Sequence, residues 1–182
     1  MTPVFEIVPA GDHTNGYFGR ATLANRPADA RAISRFLDGH LVDLDGVTLE
    51  FEFWSDPGDR VPDLVATDHQ ILAVSPRAMA AVAPLIGAYA HERDGHISGA
   101  PYRMFLPLYC ADIADYARSA VSVGPDKKIT SIASPKTRPI EAVLPIFRIR
   151  HSKGIYCNEA VAGAVTAHAL TGVSLRDVNG RN

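Results

Sequence analysis

Apolar and polar side chains alternate along residues 47–54. Val47, Leu49, Phe51 and Phe53 point one way, and Thr48, Glu50, Glu52 and Trp54 the other. A period of two is that of a half-buried strand, so one face of this strand carries two carboxylates and an indole. Residues 146–152 repeat the pattern, with Phe147, Ile149 and His151 set against Arg148, Arg150 and Ser152. A tight hairpin is expected at Lys153-Gly154, then a short apolar strand, Ile155-Tyr156-Cys157. The period next becomes helical. Asn158 stands in the N-cap position with Glu159 in the first turn, where an acid meets the helix dipole. Ala160, Val161, Ala164, Val165, Ala167, His168 and Leu170 follow at helical spacing. Thr171-Gly172 ends the helix, with Gly172 expected to take the left-handed stop, and a last strand covers residues 173–178. An earlier stretch has the same design: apolar runs at 64–67 and 71–74, Ser75-Pro76 as cap and first helical residue, then Ala78, Met79, Val82, Leu85 and Ile86 on a helix face. These are two strand–cap–helix units, too dissimilar to be a repeat.

The remaining segments fill in around them. Residues 4–8 read as a first strand and Asn15-Gly16 as a turn before a short strand at Tyr17-Phe18. Residues 27–37 read as a helix with Ala30, Ile33, Phe36 and Leu37 on one face. Residues 91–100 read as a polar loop or hairpin tip, 104–110 as a buried strand, and 112–121 as a short helix. Residues 127–133 and 140–150 read as neighbouring strands joined by a basic loop. No linker or composition break divides the chain. The expectation is a single α+β domain over residues 1–182, with a mixed or mainly antiparallel sheet and about three helices.

Composition narrows the class. The 182 residues are 47% hydrophobic and 21% charged, the range of an ordinary globular domain with a core of its own. The start of the chain lacks the basic and apolar segments of an export signal, and no apolar run is long enough for a membrane helix. A cytoplasmic protein, with no membrane association, is the expectation. Cys110 and Cys157 each end an apolar run and read as buried reduced thiols. The net charge of −2 hides a polarity: residues 1–100 hold fourteen acids and seven bases, and residues 101–182 six acids and eleven bases. Such polarity favours a charged partner.

Candidate chemistry is sparse. His91-Glu92-Arg93-Asp94-Gly95-His96 has the wrong spacing for a zinc helix, whose histidines stand four apart on one face. Asp43-Leu44-Asp45-Gly46 lacks the later ligands of a calcium loop. Cys157 lies near His151 across the hairpin and near a helix start, so a thiol–imidazole pair is conceivable. No nucleophile elbow or phosphate loop is present, and His168 sits among apolar positions. The expectation is therefore no catalytic residue, no cofactor and no metal. Lys127, Lys128, Lys136, Arg138, Arg148, Arg150 and Lys153 are basic but lack interleaved aromatics, which disfavours nucleic acid. The acidic run is more informative. From Asp38 to Asp68 it holds Asp38, Asp43, Asp45, Glu50, Glu52, Asp56, Asp59, Asp63 and Asp68 against Arg60 alone. Such a run reads as a solvated surface or, as the functional alternative, as a negative docking face for a basic protein, with Asp43, Asp45, Glu50, Glu52, Trp54, Asp56 and Asp59 as its partner-binding residues and Trp54 as the anchor.

Three segments together carry a family resemblance. They are PDLVATDHQILAVSPRAMAAV, FLPLYCADIADYARSAV and IFRIRHSKGIYCNEAVAGAVTAHALTGVSLRDV, and they resemble bacterial immunity protein family eleven of polymorphic toxin systems. The matching positions are Pro62-Asp63, Ser75, Asp112 to Asp115, Phe147, Asn158-Glu159 and Leu170-Thr171-Gly172, covering about the last two-thirds of the chain. The family more usually has serine and glutamate at the final helix start, where this chain has Asn158-Glu159. The resemblance implies a cytoplasmic antidote, encoded beside a secreted toxin of a contact-dependent or type VI system. It would neutralise that toxin by occluding its active or substrate-binding surface, as a monomer or homodimer. Two other classes stay open: a hydrolase that reverses the toxin's modification, and a nucleic-acid-binding module.

Overall fold

The computed structural model describes residues 2–10, 22, 23, 27–37, 44, 47–52, 62–67 and 69–180. Across these residues the chain is an α+β fold with three helices and mixed, mostly antiparallel sheets. It runs β1 (Phe5–Pro9), β2 (Thr22–Leu23), α1 (Pro27–Leu37), β3 (Leu49–Glu52), β4 (Leu64–Ala66), β5 (Leu72–Val74) and α2 (Met79–Ile86). Then come β6 (Ala90–Ile97), β7 (Ala100–Pro107), β8 (Cys110–Ala111), β9 (Ala120–Val123) and β10 (Ile129–Ser134). The chain closes with β11 (Ile146–Ile149), β12 (Ile155–Cys157), α3 (Glu159–Ala167) and β13 (Val173–Asp177). One sheet has the order β2-β3-β6-β7-β5-β4 and the other β13-β1-β12-β11-β8, while β9 and β10 form a separate ribbon. Parallel pairs occur at β3–β6 and β8–β11.

Alternation along the strands sorts side chains into three cores. The largest takes one face of each sheet together with α2 and α3: Leu64, Leu72, Val74 and Phe105 from the first sheet, Ile7, Ile146, Ile155, Cys157 and Val173 from the second. The opposite face of the six-stranded sheet packs Leu49, Phe51, Val65, Ala73, Tyr102 and Met104 against Ile33 of α1. The opposite face of the five-stranded sheet buries Val4, Phe147, Ile149 and Tyr156 with Ala114 and Ile132. Strands β4, β5 and β12, buried throughout, therefore lack the polar alternation of a half-exposed strand.

One buried acid ties the two strand–helix units together. Asp63 Oδ2 accepts from the Thr171 backbone N–H at 2.9 Å, the Thr171 hydroxyl at 2.9 Å and Arg77 Nη1 at 2.6 Å. The Thr171 carbonyl accepts from the Leu64 N–H at 3.0 Å, so the junction is main-chain as well. Gly172 beside it has φ +95°, and a Cβ there would lie 2.1 Å from the Leu64 carbonyl. Gln70 adds a second tie, donating to the carbonyls of Ser152 and Gly154 at 2.9 and 3.0 Å.

Several expectations are corrected. The regular helix after Ser75-Pro76 starts at Met79, later than expected; the Ser75 side chain still accepts from the Ala78 N–H at 3.4 Å, and its carbonyl accepts from Ala78 and Met79, in the turn that leads into the helix. The last helix ends at Ala167, three residues short of Leu170, with His168 at its cap and Ala169 in the left-handed region at φ +46°. Gly172 serves the close approach to β4. Residues 112–121 form turns and the start of β9 in place of a helix, because Ile113, Ala114 and Tyr116 pack as a coil against the third core. Strand β10 pairs with β9, and β11 with β12 and β8, so β10 and β11 are not paired; β10 instead has a bridge from Ile132 to Ser152, beyond the end of β11. Of residues 91–100, read as a loop or hairpin tip, 91–97 are strand and the hairpin tip is confined to Ser98-Gly99. The expected turn at Asn15-Gly16 and strand at Tyr17-Phe18 lie outside the described residues.

Candidate functional site

Strand β6 is where sequence and structure part most, and it builds the site. Its residues alternate, but the inward positions are not apolar enough to show it. His91 faces α1, its ring 5.2 Å from that of Phe36. Gly95 is inward because nothing larger fits: a Cβ would lie 2.5 Å from the Leu49 carbonyl and 2.7 Å from the Met104 side chain. A residue that reads as a helix breaker in a loop is a close-packing position between three strands. The outward positions are then Glu92, Asp94 and His96. Registers Glu50↔His96, Asp94↔Arg103 and Glu92↔Phe105 put them beside β3 and β7.

The result is an open half-sheet of one character. Glu50 and Glu52 from β3, Glu92, Asp94 and His96 from β6, and Arg103 from β7 stand on the face opposite the α1 core. Glu50 Oε1 lies 2.8 Å from His96 Nδ1. Arg103 donates from Nε to Glu92 at 2.7 Å and from Nη1 to Asp94. The hydrogen bond to Glu92, then that to Asp94, raises the Arg103 pKa further and keeps the guanidinium charged. All these side chains are at least partly exposed, so each pair contributes little to stability. Four carboxylates against one guanidinium and one imidazole leave the face acidic.

Of the seven residues expected to bind a partner, Glu50 and Glu52 are on this face. Asp43, Asp45, Trp54, Asp56 and Asp59 lie outside the described residues, as do Asp38 and Asp68. Asp63, counted in the same acidic run, is 4% exposed and belongs to the junction with Thr171. Sequence reasoning missed Glu92, Asp94, His96 and Arg103. The available signal was the outward period of two at 92, 94 and 96, continued by Arg103 between Tyr102 and Met104.

The other candidates separate. Cys157 is fully buried in the main core, and burial pushes its thiol up from 9.0 to about 12, which removes the thiolate a nucleophile needs. His151 is exposed and outside that core. Cys110 is exposed, contrary to expectation, because β7 ends at Pro107 and β8 is a separate edge strand. Among the described residues no three His, Cys, Asp or Glu side chains come together as metal ligands, and no helix is long and apolar enough to cross a membrane. The basic residues do not form one field. Arg118, Lys128, Arg138 and Arg150 stand beside Asp115, Asp126 and Asp112, while Arg148 is buried. No family model matches this chain, and no curated protein matches it.

Proposed function

We propose that the chain is an immunity protein: it binds a cognate bacterial toxin encoded beside it and neutralises it by covering its active or substrate-binding surface. The open acidic half-sheet carries this reading. Its side chains stand in register on paired strands, they are at least partly exposed, and their charge suits a basic partner. A toxin that acts on nucleic acid presents such a surface, because it must hold phosphates. The resemblance of the last two-thirds of the chain to immunity proteins supports the same reading. Binding acts here without turnover, in the cytoplasm of the producing cell. Asp43, Asp45, Trp54, Asp56 and Asp59, near β3 in sequence, remain proposed partner-binding residues on their charge and the indole alone.

The test is protection of cells. Co-expression with the adjacent toxin gene rescues growth, and the fourfold substitution Glu50→Lys, Glu52→Lys, Glu92→Lys, Asp94→Lys removes rescue while the protein stays folded. Rescue that survives all four reversals rejects this face.

A further inference from the structure

We propose that Asn179-Gly180 is a latent deamidation site, kept shut in the native fold by a two-way clamp between the Asn179 side chain and Thr137. This is independent of the acidic half-sheet. The clamp has a physical cause. Thr137 is fully buried and stands opposite Ala114 in an isolated antiparallel bridge. The hydrogen bonds of that bridge belong to its neighbours. The Asp115 N–H donates to the Lys136 carbonyl at 2.7 Å, and the Arg138 N–H to the Ile113 carbonyl at 2.9 Å. The Thr137 N–H therefore turns away from Ala114 and, being buried, needs an acceptor from elsewhere. Asn179 Oδ1 supplies it at 3.0 Å, and Asn179 Nδ2 donates to Thr137 Oγ1. A side-chain amide takes the place of a neighbouring strand's peptide group.

That amide is also the reactive group. A glycine after asparagine offers a backbone nitrogen with no Cβ beside it and wide backbone freedom. When the Gly180 nitrogen gives its proton to base, it can attack Asn179 Cγ. The Cγ–Nδ2 bond then breaks, ammonia leaves, and a succinimide ring closes. Water opens the ring at either carbonyl, leaving aspartate or isoaspartate, and no electron is transferred. Ring closure needs Cγ to swing onto the Gly180 nitrogen, and in the fold every participant is engaged. Both polar atoms of the Asn179 side chain are on Thr137. The Gly180 N–H donates to the Asp177 carbonyl at 3.3 Å, and the Asn179 N–H to Asp177 Oδ1 at 2.9 Å. Val178, just before them, is buried in the third core, and its N–H donates to the Val4 carbonyl at 2.9 Å. Deamidation therefore waits for local opening of this turn.

Once converted, the clamp does not re-form as it was. A carboxylate at position 179 still accepts from the Thr137 N–H, but it has lost the donor to Thr137 Oγ1 and adds a negative charge beside Asp177. Isoaspartate lengthens the backbone and moves the side chain away. The modification thus removes, in one direction only, the tie between the chain end and residues 135–139, the loop that carries Lys136 and Arg138.

The test follows conversion in the full chain at mildly alkaline pH, by peptide mapping of the small mass gain at Asn179. In the native chain the rate is expected to be at least about tenfold lower than in the same chain unfolded in guanidinium chloride, because it passes through local opening alone. Thr137→Val, which removes the hydroxyl and keeps the shape, is expected to raise the native rate at least about fivefold, while Thr137→Ser keeps it low. Asp63→Ala lowers stability at the Thr171 junction instead, and is expected to leave the rate unchanged. A native rate equal to the unfolded one, or no acceleration in Thr137→Val, would overturn the proposal. So would acceleration in Thr137→Ser or in Asp63→Ala equal to that in Thr137→Val.

Discussion

Phe105 and Arg103 stand two residues apart on β7, on the same face of the same sheet, and have opposite fates. Phe105 is fully buried under α2 and α3 in the main core. Arg103 is exposed and holds Glu92 and Asp94. The boundary runs through the sheet itself, since Glu92 lies directly across from Phe105 and Val74 across from Arg103. One half of the six-stranded sheet is structural on both faces. The other half is structural only toward α1 and leaves its second face to chemistry. If the exposed half is the proposed binding face, stability and recognition occupy different halves of one element, and substitutions can separate them.

The largest expected effect is on the covered half. Gly172→Ala would combine a positive φ with a Cβ 2.1 Å from the Leu64 carbonyl. About 3 kcal/mol or more of stability should be lost, read as a fall of roughly 10 °C in Tm. Gly163, in α3 with nothing near a prospective Cβ, is the internal control. There Gly163→Ala should stabilise by about 0.5–1 kcal/mol. Next is Asp63→Ala, which removes the acceptor for Thr171 and Arg77. About 2 kcal/mol should be lost by denaturant titration, less than for a fully buried pair because Arg77 is largely exposed.

Cys157 sharpens the comparison by pH. Its folded pKa is pushed up to about 12 by burial, so above about pH 9 the unfolded thiol releases its proton while the folded one keeps it. The native state then binds more protons, and stability falls as pH rises from about 9 toward 12, by up to about 1.4 kcal/mol per unit. Cys157→Ala should flatten that slope in unfolding measured at pH 8, 9 and 10. In the native protein at pH 8 a thiol reagent should modify Cys110 alone, and both thiols after denaturation. The smallest effect belongs to the open half: Glu92→Gln and Asp94→Asn should each change stability by less than about 0.5 kcal/mol. A loss as large as that of Asp63→Ala would make the face structural.

The same division explains what could be read in advance. The helix over residues 27–37 and the strand–helix–strand of the last unit were legible because their local signals agree with their packing. The Asn158 side chain caps α3 by accepting from the Val161 N–H at 3.2 Å, as its position implies. Leu49 and Phe51 face the core, leaving Glu50 and Glu52 outward, as their alternation implies. Strand β6 was illegible because its inward side is His91, Arg93 and Gly95. His91 packs on Phe36, and Gly95 lies against Leu49 and Met104; Phe36 and Leu49 are more than 40 residues earlier in the chain. Half of the described acidic face was hidden with it. Asp63 failed in the other direction: its partners Arg77 and Thr171 lie 14 and 108 residues away, so a structural acid reads as surface charge.

The most direct measurement is calorimetric titration of the adjacent-gene toxin domain into this protein and into the variant carrying Glu50→Lys, Glu52→Lys, Glu92→Lys and Asp94→Lys. Tight binding to the unsubstituted protein is expected, with at least about a hundredfold weaker Kd for the variant at unchanged Tm, and a loss that grows as salt is lowered. An unchanged Kd for the variant, or no binding of the toxin to the unsubstituted protein, would contradict the assignment of recognition to the open half of the sheet.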